Sequence, residues 1–366
     1  MRILVLSKRQ YLGKDLLDDQ FFRNYEVPEE LNKLDHQVRG VTLSYRRMTE
    51  GLFKPGTVSW SSFNVYPWPH RYFVGIKTII EEFNPDIIWA SSDVYHSIFG
   101  YYLASKYRIP IVIDLYDNYE SFGLSKIPGV RTLFRYVCRR ANGLTVVSRM
   151  LRDYILSEST IEDSHVRVMG NAVRKDLFKQ MPKADARHYL GLPSNVRLIG
   201  TAGALSAGRG IEVLFKAFML LVEQFPELHL VVAGPRDKTL QQYSHPQIID
   251  LGVLDFEKVP YVFNSLDVAV ICNVDSLFGR YCFPQKYYEI AACETNVVAS
   301  DVGEMRYLLR HNRDALFVHD SAKSLSSAIK KQLFGETNNT DIDIPSWSDR
   351  AEELSGFLES VKRGCL

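Results

Sequence analysis

Leu198-Ile-Gly-Thr-Ala-Gly203-Ala-Leu-Ser-Ala-Gly208-Arg209-Gly210 runs from an apolar strand into a loop of small residues and on into a helix opening near Gly210-Ile-Glu212. Unpaired amides at such a helix start, the positive end of its dipole and the Arg209 guanidinium would together cradle a phosphate. A glycine-rich turn that only packs helix against strand reads the same way. The following stretch, 212–224, is helical by period, with Leu214, Phe215, Phe218 and Leu221/Val222 on one apolar face. Strand, small-residue turn and amphipathic helix form the repeating unit of a parallel α/β sheet.

The same unit recurs in both directions. Short β-branched runs at 198–203, 228–233, 248–251, 268–272, 297–300 and 315–318 alternate with helical stretches. An earlier series, 3–6, 38–43, 87–90, 111–114, 144–147 and 166–169, alternates with helical patterns at 76–83, 97–106 and 132–140. Most of these runs are largely apolar, as strands covered on both faces should be. Polar connectors at 180–187 and 191–195 separate the series. The expected fold is α/β, with two Rossmann-like domains facing across a cleft. Ligands in such sheets bind beyond the carboxyl ends of the strands.

Composition narrows the function classes. The chain has 366 residues, is 46% hydrophobic and 24% charged, and carries a formal charge of +1. Length and balance fit two globular domains. Residues 1–180 hold 25 Lys/Arg against 20 Asp/Glu, and residues 181–366 hold 19 against 23. So mild an asymmetry does not argue for nucleic acid, although a basic face could sit on anionic lipid. No apolar run approaches the roughly 18 residues of a membrane span, and the short 1–6 run reads as a first strand rather than a signal peptide. Five cysteines without CxxC or CxxH spacing fit a reducing cytosol better than a disulfide scaffold or zinc site. No GxGxxG, GxxxxGK[ST] or GxSxG is present, which disfavours dinucleotide enzymes, P-loop NTPases and the common hydrolase fold.

Two further blocks carry possible chemistry. Phe283-Pro284-Gln285-Lys286-Tyr-Tyr-Glu289 leads a helix whose first turns hold Lys286 and Glu289 on one face. Glu289 could grip ribose hydroxyls, or the two could be a surface ion pair. In the front half, Tyr116-Asp117-Asn118 follows a strand end and offers either substrate contacts or helix capping.

Taken in order, these blocks resemble the retaining GT-B glycosyltransferases of family four. Asp35-His36-Gln37-Val38 resembles that family's Gly-His-Glu-Val entry, and Asn171-Ala-Val-Arg-Lys-Asp-Leu-Phe178 its NGVDxxxF segment. Pro284-Gln-Lys-Tyr-Tyr-Glu289 is similar to PxKxxE, and Val297-Val-Ala-Ser-Asp-Val-Gly-Glu304 to PVVASDVGG. The resemblance implies a first domain over 1–180, with a tail of about 348–366 crossing back to it, and a donor domain over 181–347. It implies a metal-independent, hexosyltransferase-type enzyme with no cofactor, whose nucleotide-sugar is a substrate and whose acceptor is a glycan or lipid-linked glycan. Arg209, Glu289, Asp117 and Tyr116 fall at catalytic positions. Gly203, Ala204, Ser206, Gly234, Pro235, Gly252, Val253, Phe283, Pro284, Gln285 and Lys286 fall at donor-binding positions, and Gly13 and Lys14 on the acceptor side. Asp341-Ile-Asp343 has the spacing of a metal signature but lies in a late polar segment, so no metal site is expected.

The sequence departs from the family pattern at four points: Ala204 replaces the arginine of GRL, Tyr281 the first glutamate of Glu-x7-Glu, and Tyr116 the histidine of HD, while the first loop keeps only Gly13. The alternatives are therefore a catalytically degenerate homologue acting as a partner subunit, and a nucleotide-sugar epimerase. Arg131, Arg135 and Arg139 form a basic stripe within 122–140. It would suit either an anionic membrane surface or a solvated helix face. The expected location is cytoplasmic, with peripheral association to the inner membrane face. Phe53, Trp60, Phe63, Tyr66, Trp68 and Tyr72 read as exposed aromatics that could line an acceptor groove.

Overall fold

The computed structural model describes residues 1–11, 13–20, 22–238, 242–335 and 343–365; Asp341 lies outside them. The chain divides into two compact units. The first comprises Met1–Ala172, Tyr281–Phe283 and Pro345–Leu366, and the second Val173–Arg280 and Pro284–Ile344.

The first unit is built on a sheet ordered Val166–Val168, Gly143–Val146, Ile111–Leu115, Ile87–Ser91, Arg2–Lys8, Gln37–Ser44, Ser59–Asn64, Gly51–Phe53. All pairings are parallel except the last, where Gly51–Phe53 runs antiparallel to Ser59–Asn64. Every residue of Ile87–Ser91 and Ile111–Leu115 is buried, as expected of strands with helices on both faces. Chain order reverses between Arg2–Lys8 and Ile87–Ser91, which makes their carboxyl ends the switch point where a ligand crevice forms.

The edge strand Ser59–Asn64 corrects the reading of the aromatics around it. Trp60 is fully buried rather than exposed. Its indole lies flat over Gly40, where an added Cβ would sit 2.1 Å from the ring. Tyr72 is also buried, whereas Tyr66 and Trp68 remain exposed.

The second unit has the all-parallel order Ile248–Asp250, Leu228–Ala233, Arg197–Ala202, Val268–Ile271, Asn296–Ser300, Leu316–Phe317. Its switch point lies between Arg197–Ala202 and Val268–Ile271. Helix Glu212–Val222 buries Leu214, Phe215, Phe218 and Leu221 against this sheet. This unit begins at Val173, ahead of residue 180, because Phe178 packs within it, 5.5 Å from the Phe256 ring and 6.4 Å from Phe263.

The terminal helix Trp347–Arg363 belongs to the first unit. Ser346 and Asp349 form a reciprocal capping box at its start. Trp347, Ala351, Leu354, Leu358 and Val361 share a core with Ile3, Val5, Trp89 and Val112. Phe357 reaches the sheet itself, its ring filling the space that a Cβ on Gly143 would need, at 2.8 Å. Phe357→Ala should therefore cost about 3–5 kcal/mol. Urea denaturation of the full chain checks this, and a loss below about 1 kcal/mol would mean that the tail is not part of the core.

Candidate functional site

The best-defined constellation lies in the second unit, at the carboxyl edge of its sheet. Strand Arg197–Ala202 ends in Gly203, whose φ of +120° suits a residue without a side chain. The neighbouring strand Leu228–Ala233 ends in Gly234 at φ +130°. A Cβ on Gly234 would lie 2.1 Å from the Gly203 carbonyl oxygen, so the two loops touch backbone to backbone. Hydrogen bonds fix them there: Gly203 N donates to Ala233 O (2.8 Å), Leu205 N to Pro235 O (2.8 Å) and Gly234 N to Gly252 O (2.7 Å).

Charged groups gather around this glycine wall. The Lys286 side chain crosses Gly203 so closely that a Cβ there would meet Cε at 2.6 Å and Nζ at 2.8 Å. Lys286 stands in the first turn of helix Gln285–Ala292, and buried Glu289 follows one turn later. Burial lowers the Lys286 pKa; Cys272 and Glu289 oppose that shift, and the like charge of Arg209 adds to it. Burial likewise pushes the Glu289 carboxyl up to about 7, against the opposing charge of Lys286 and a hydrogen bond from Gln285. Arg209, on the short turn Ala207–Arg209, stacks its guanidinium 4.5 Å from the Phe278 ring centroid. Gly210 follows at φ +70°, close enough that a Cβ would meet the Val274 side chain at 3.0 Å.

The structure thus brings Gly203, Gly234, Gly252, Arg209, Lys286 and Glu289 to one edge. Ser206 stands at the N-cap position of the Ala207–Arg209 turn without a side-chain capping bond, and Ala204, Pro235 and Val253 are exposed around it. Pro284 occupies the N-cap position of the Gln285–Ala292 helix. Phe283 is placed differently: with Tyr281 it groups with the first unit, against whose core both pack. The Tyr281 ring lies 4.7 Å from that of Tyr154. Among the described residues, no three His, Cys, Asp or Glu side chains cluster as a metal site. No helix among them is long and apolar enough to cross a membrane.

In the first unit, Asp117 is buried and accepts a hydrogen bond from Tyr11 Oη (3.3 Å). Tyr116, expected as its catalytic neighbour, is instead a buried ring set edge-on to Tyr11 and Phe22, its hydroxyl donating to Ser92 O (3.1 Å). Helix capping falls to Asn118, which accepts from Glu120 N. Gly13 has φ +81° with open space around it, and Lys14 pairs with Asp19 at 3.4 Å. Two guanidiniums of the basic stripe are already engaged: Arg131 and Arg135 each approach the buried Glu120 carboxylate at 2.6 Å. Burial alone would raise the Glu120 pKa, but hydrogen bonds from Arg135, Tyr154 and Arg131 bring it below its ordinary value.

The sequence reading missed a second cluster here, made of Lys8, Tyr45, Asp93 and His96. Its signal was the Ser91-Ser-Asp-Val-Tyr-His96 run directly after a strand, where Asp93 caps the helix Val94–Tyr107 and also binds the His96 ring.

Comparison with known proteins assigns the family. A sequence model described as Glycosyltransferase Family 4 matches residues 24–177, and one described as Glycosyl transferases group 1 matches 196–333. The chain belongs to these glycosyltransferases. Among curated relatives, a D-inositol 3-phosphate glycosyltransferase of Thermobispora bispora is 28% identical over 176 residues, covering 42% of this chain and 39% of that one. The chain thus spans well under two thirds of that relative's length. Anabaena Alr3699/HepE, solved with UDP, superposes on this chain with TM-score 0.71 at 16% identity, covering 100% of this chain and 98% of that one. The UDP-GlcNAc 2-epimerase of Methanocaldococcus jannaschii superposes with TM-score 0.62 at 13% identity, covering 98% and 99%. At such identities these likenesses show the GT-B fold alone.

Glu289 gives the chain a pH signature. Its folded pKa of about 7 lies above the ordinary 4.5, so between these values the folded chain holds a proton that the unfolded chain has lost. Its contribution to stability is full below about pH 4.5 and is lost as pH rises through about 7, on the order of 3 kcal/mol at most. Glu289→Gln should flatten that decline. Denaturation midpoints at pH 5 and pH 8 test this, and equal pH dependence in both proteins would contradict the buried carboxyl.

Proposed function

We propose that the chain transfers a hexosyl group, with retention, from a nucleotide-diphosphate sugar to a glycan or lipid-linked glycan acceptor. The observation that carries this reading is the convergence of Lys286 and Arg209 on the glycine wall at the second unit's switch point. Glycines let a diphosphate approach the backbone, and the two cations match its charge. Glu289 would hold the ribose hydroxyls, and the loops ending in Gly234 and Gly252 would flank the base. When the bond from the anomeric carbon to the diphosphate breaks, negative charge builds on the leaving oxygen. Lys286 and Arg209 would stabilise that charge in place, so that transfer runs without a divalent metal. The acceptor hydroxyl forms the new glycosidic bond on the face the diphosphate leaves and passes its proton to the departing diphosphate oxygen. The neighbour solved with UDP supports a uridine nucleotide as the first donor class to try.

Ala204 leaves this cradle without the family's usual second arginine, and the approach of Lys286 to Gly203 offers a cation in its stead. Arg209→Ala and Lys286→Met should each weaken UDP binding about 10- to 100-fold, the range for a lost hydrogen bond to a charged group, with little change in melting temperature. Titration calorimetry checks this, and unchanged affinity in both variants would remove the assignment. With UDP-glucose and an acceptor glycan, turnover should survive EDTA. Nucleotide binding without turnover would instead identify a binding subunit, and a changed sugar formed without any acceptor would identify an epimerase.

A further inference from the structure

At the carboxyl edge of the first unit's sheet lies a cavity of about 920 Å3 walled by Leu43, Tyr72, Phe73, Phe99 and Tyr102, with His96 among its lining residues. That volume is in the range of sites for small organic ligands, which are apolar enclosures with a few placed polar groups. Large hydrophobic side chains continue out of it: Phe73 and Tyr102 are each 54% exposed, and Trp68 and Val74 more so. Such a run of exposed apolar surface on a folded unit marks a binding site more often than chance. The cavity sits where Gln37–Ser44 and Ile87–Ser91 end, on either side of Arg2–Lys8 and therefore next to the switch point.

The polar group in this apolar setting is held with care. Asp93 Oδ1 accepts from the backbone N–H groups of Tyr95 and His96, each at 3.0 Å, and lies 2.8 Å from His96 Nδ1. Tyr45 Oη donates to Asp93 Oδ2 at 2.8 Å. Burial works to raise the Asp93 pKa, but the His96 ring and these hydrogen bonds bring it well below the usual carboxylate range. In the neutral ring that donates its Nδ1 proton to Asp93, Nε2 is left as an acceptor. His96 is 3% exposed, and its Nε2 has no hydrogen-bond partner among the described residues. A buried acceptor left in that state is costly unless a ligand completes it. Ser92, just before Asp93, holds φ +106° although it is not glycine, fixed by hydrogen bonds from Asn24 and to Tyr119 and by Ser7.

We propose that this cavity seats the apolar chain of an amphiphilic acceptor, with a hydroxyl at the head of that chain donating to His96 Nε2. The assignment of the occupant as an acceptor rests on the transferase reading above; the cavity chemistry itself does not. An alcohol with an alkyl body satisfies both the aromatic walls and the imidazole nitrogen, whereas a free sugar satisfies only the nitrogen.

The test titrates the full chain with octan-1-ol and with 1-methoxyoctane, which keeps the chain but cannot donate a hydrogen bond. Octan-1-ol should bind about three- to tenfold more tightly, the value of one net hydrogen bond. His96→Phe should abolish that preference while retaining chain binding. Because His96 is buried, the double variant Phe73→Asp/Tyr102→Asp at the exposed rim provides a second arm, and it should weaken both probes at least fivefold with the melting temperature kept. Equal affinity of the wild type for the two probes, no saturable binding, or rim variants that bind normally would each overturn the proposal. So would sedimentation showing a dimer that the rim variants dissociate while neither probe binds, since the face would then be a self-association surface. UDP titration of the same samples separates the two readings. Intact UDP binding with a failed alcohol test removes only this inference, and the converse removes only the donor site.

Discussion

Two parallel strands of the second unit end side by side, and the loops that leave them must share space too narrow for any side chain. Gly203 and Gly234 meet that constraint by touching backbone to backbone. From this contact follow the positive φ angles at both residues, the hydrogen bonds that register Gly203, Leu205 and Gly234 on neighbouring segments, and the flat surface over which Lys286 can pass. A side chain at Gly203 would claim the volume that Lys286 occupies. The candidate donor site is thus a consequence of how two strands terminate, with charged groups drawn to a surface of exposed backbone.

The charges there are held at some cost. Glu289 is buried enough to sit near neutrality, and Lys286 is depressed by the same burial. An incoming diphosphate would add negative charge beside Lys286 and Arg209 and so favour the protonated ammonium. The cradle is thereby poised for an anion. The acidic balance of the second half gave no hint of this, because a net charge does not record which two cations are turned toward one loop.

Much of the fold was legible because parallel strands buried on both faces are short apolar runs. Each such run in the sequence corresponds to a strand, within a residue or two at its ends. Ser59–Asn64 escaped because Ser-Trp-Ser-Ser-Phe-Asn reads as a polar excursion, and only the bare Gly40 opposite reveals why Trp60 is buried. The glycines, Arg209, Lys286 and Glu289 were legible as a site by their order along the chain, although the approach of Lys286 to Gly203 was not. The partner of the basic stripe was not legible for a similar reason: Glu120, which engages Arg131 and Arg135, lies on a separate turn and contributes nothing to helical periodicity. The Asp93–His96 pair stayed hidden because an aspartate before a helix reads first as a cap, and here it does cap while also orienting an imidazole.

On our proposal the glycine wall of the second unit is a diphosphate cradle completed by Lys286 and Arg209. A crystal structure of the chain grown with UDP tests it most directly. The expected result is the diphosphate against the loop that follows Gly203, with Lys286 Nζ and the Arg209 guanidinium within hydrogen-bonding distance of its oxygens and the ribose at Glu289. A diphosphate bound away from both cations, or a nucleotide held in another place altogether, would contradict it.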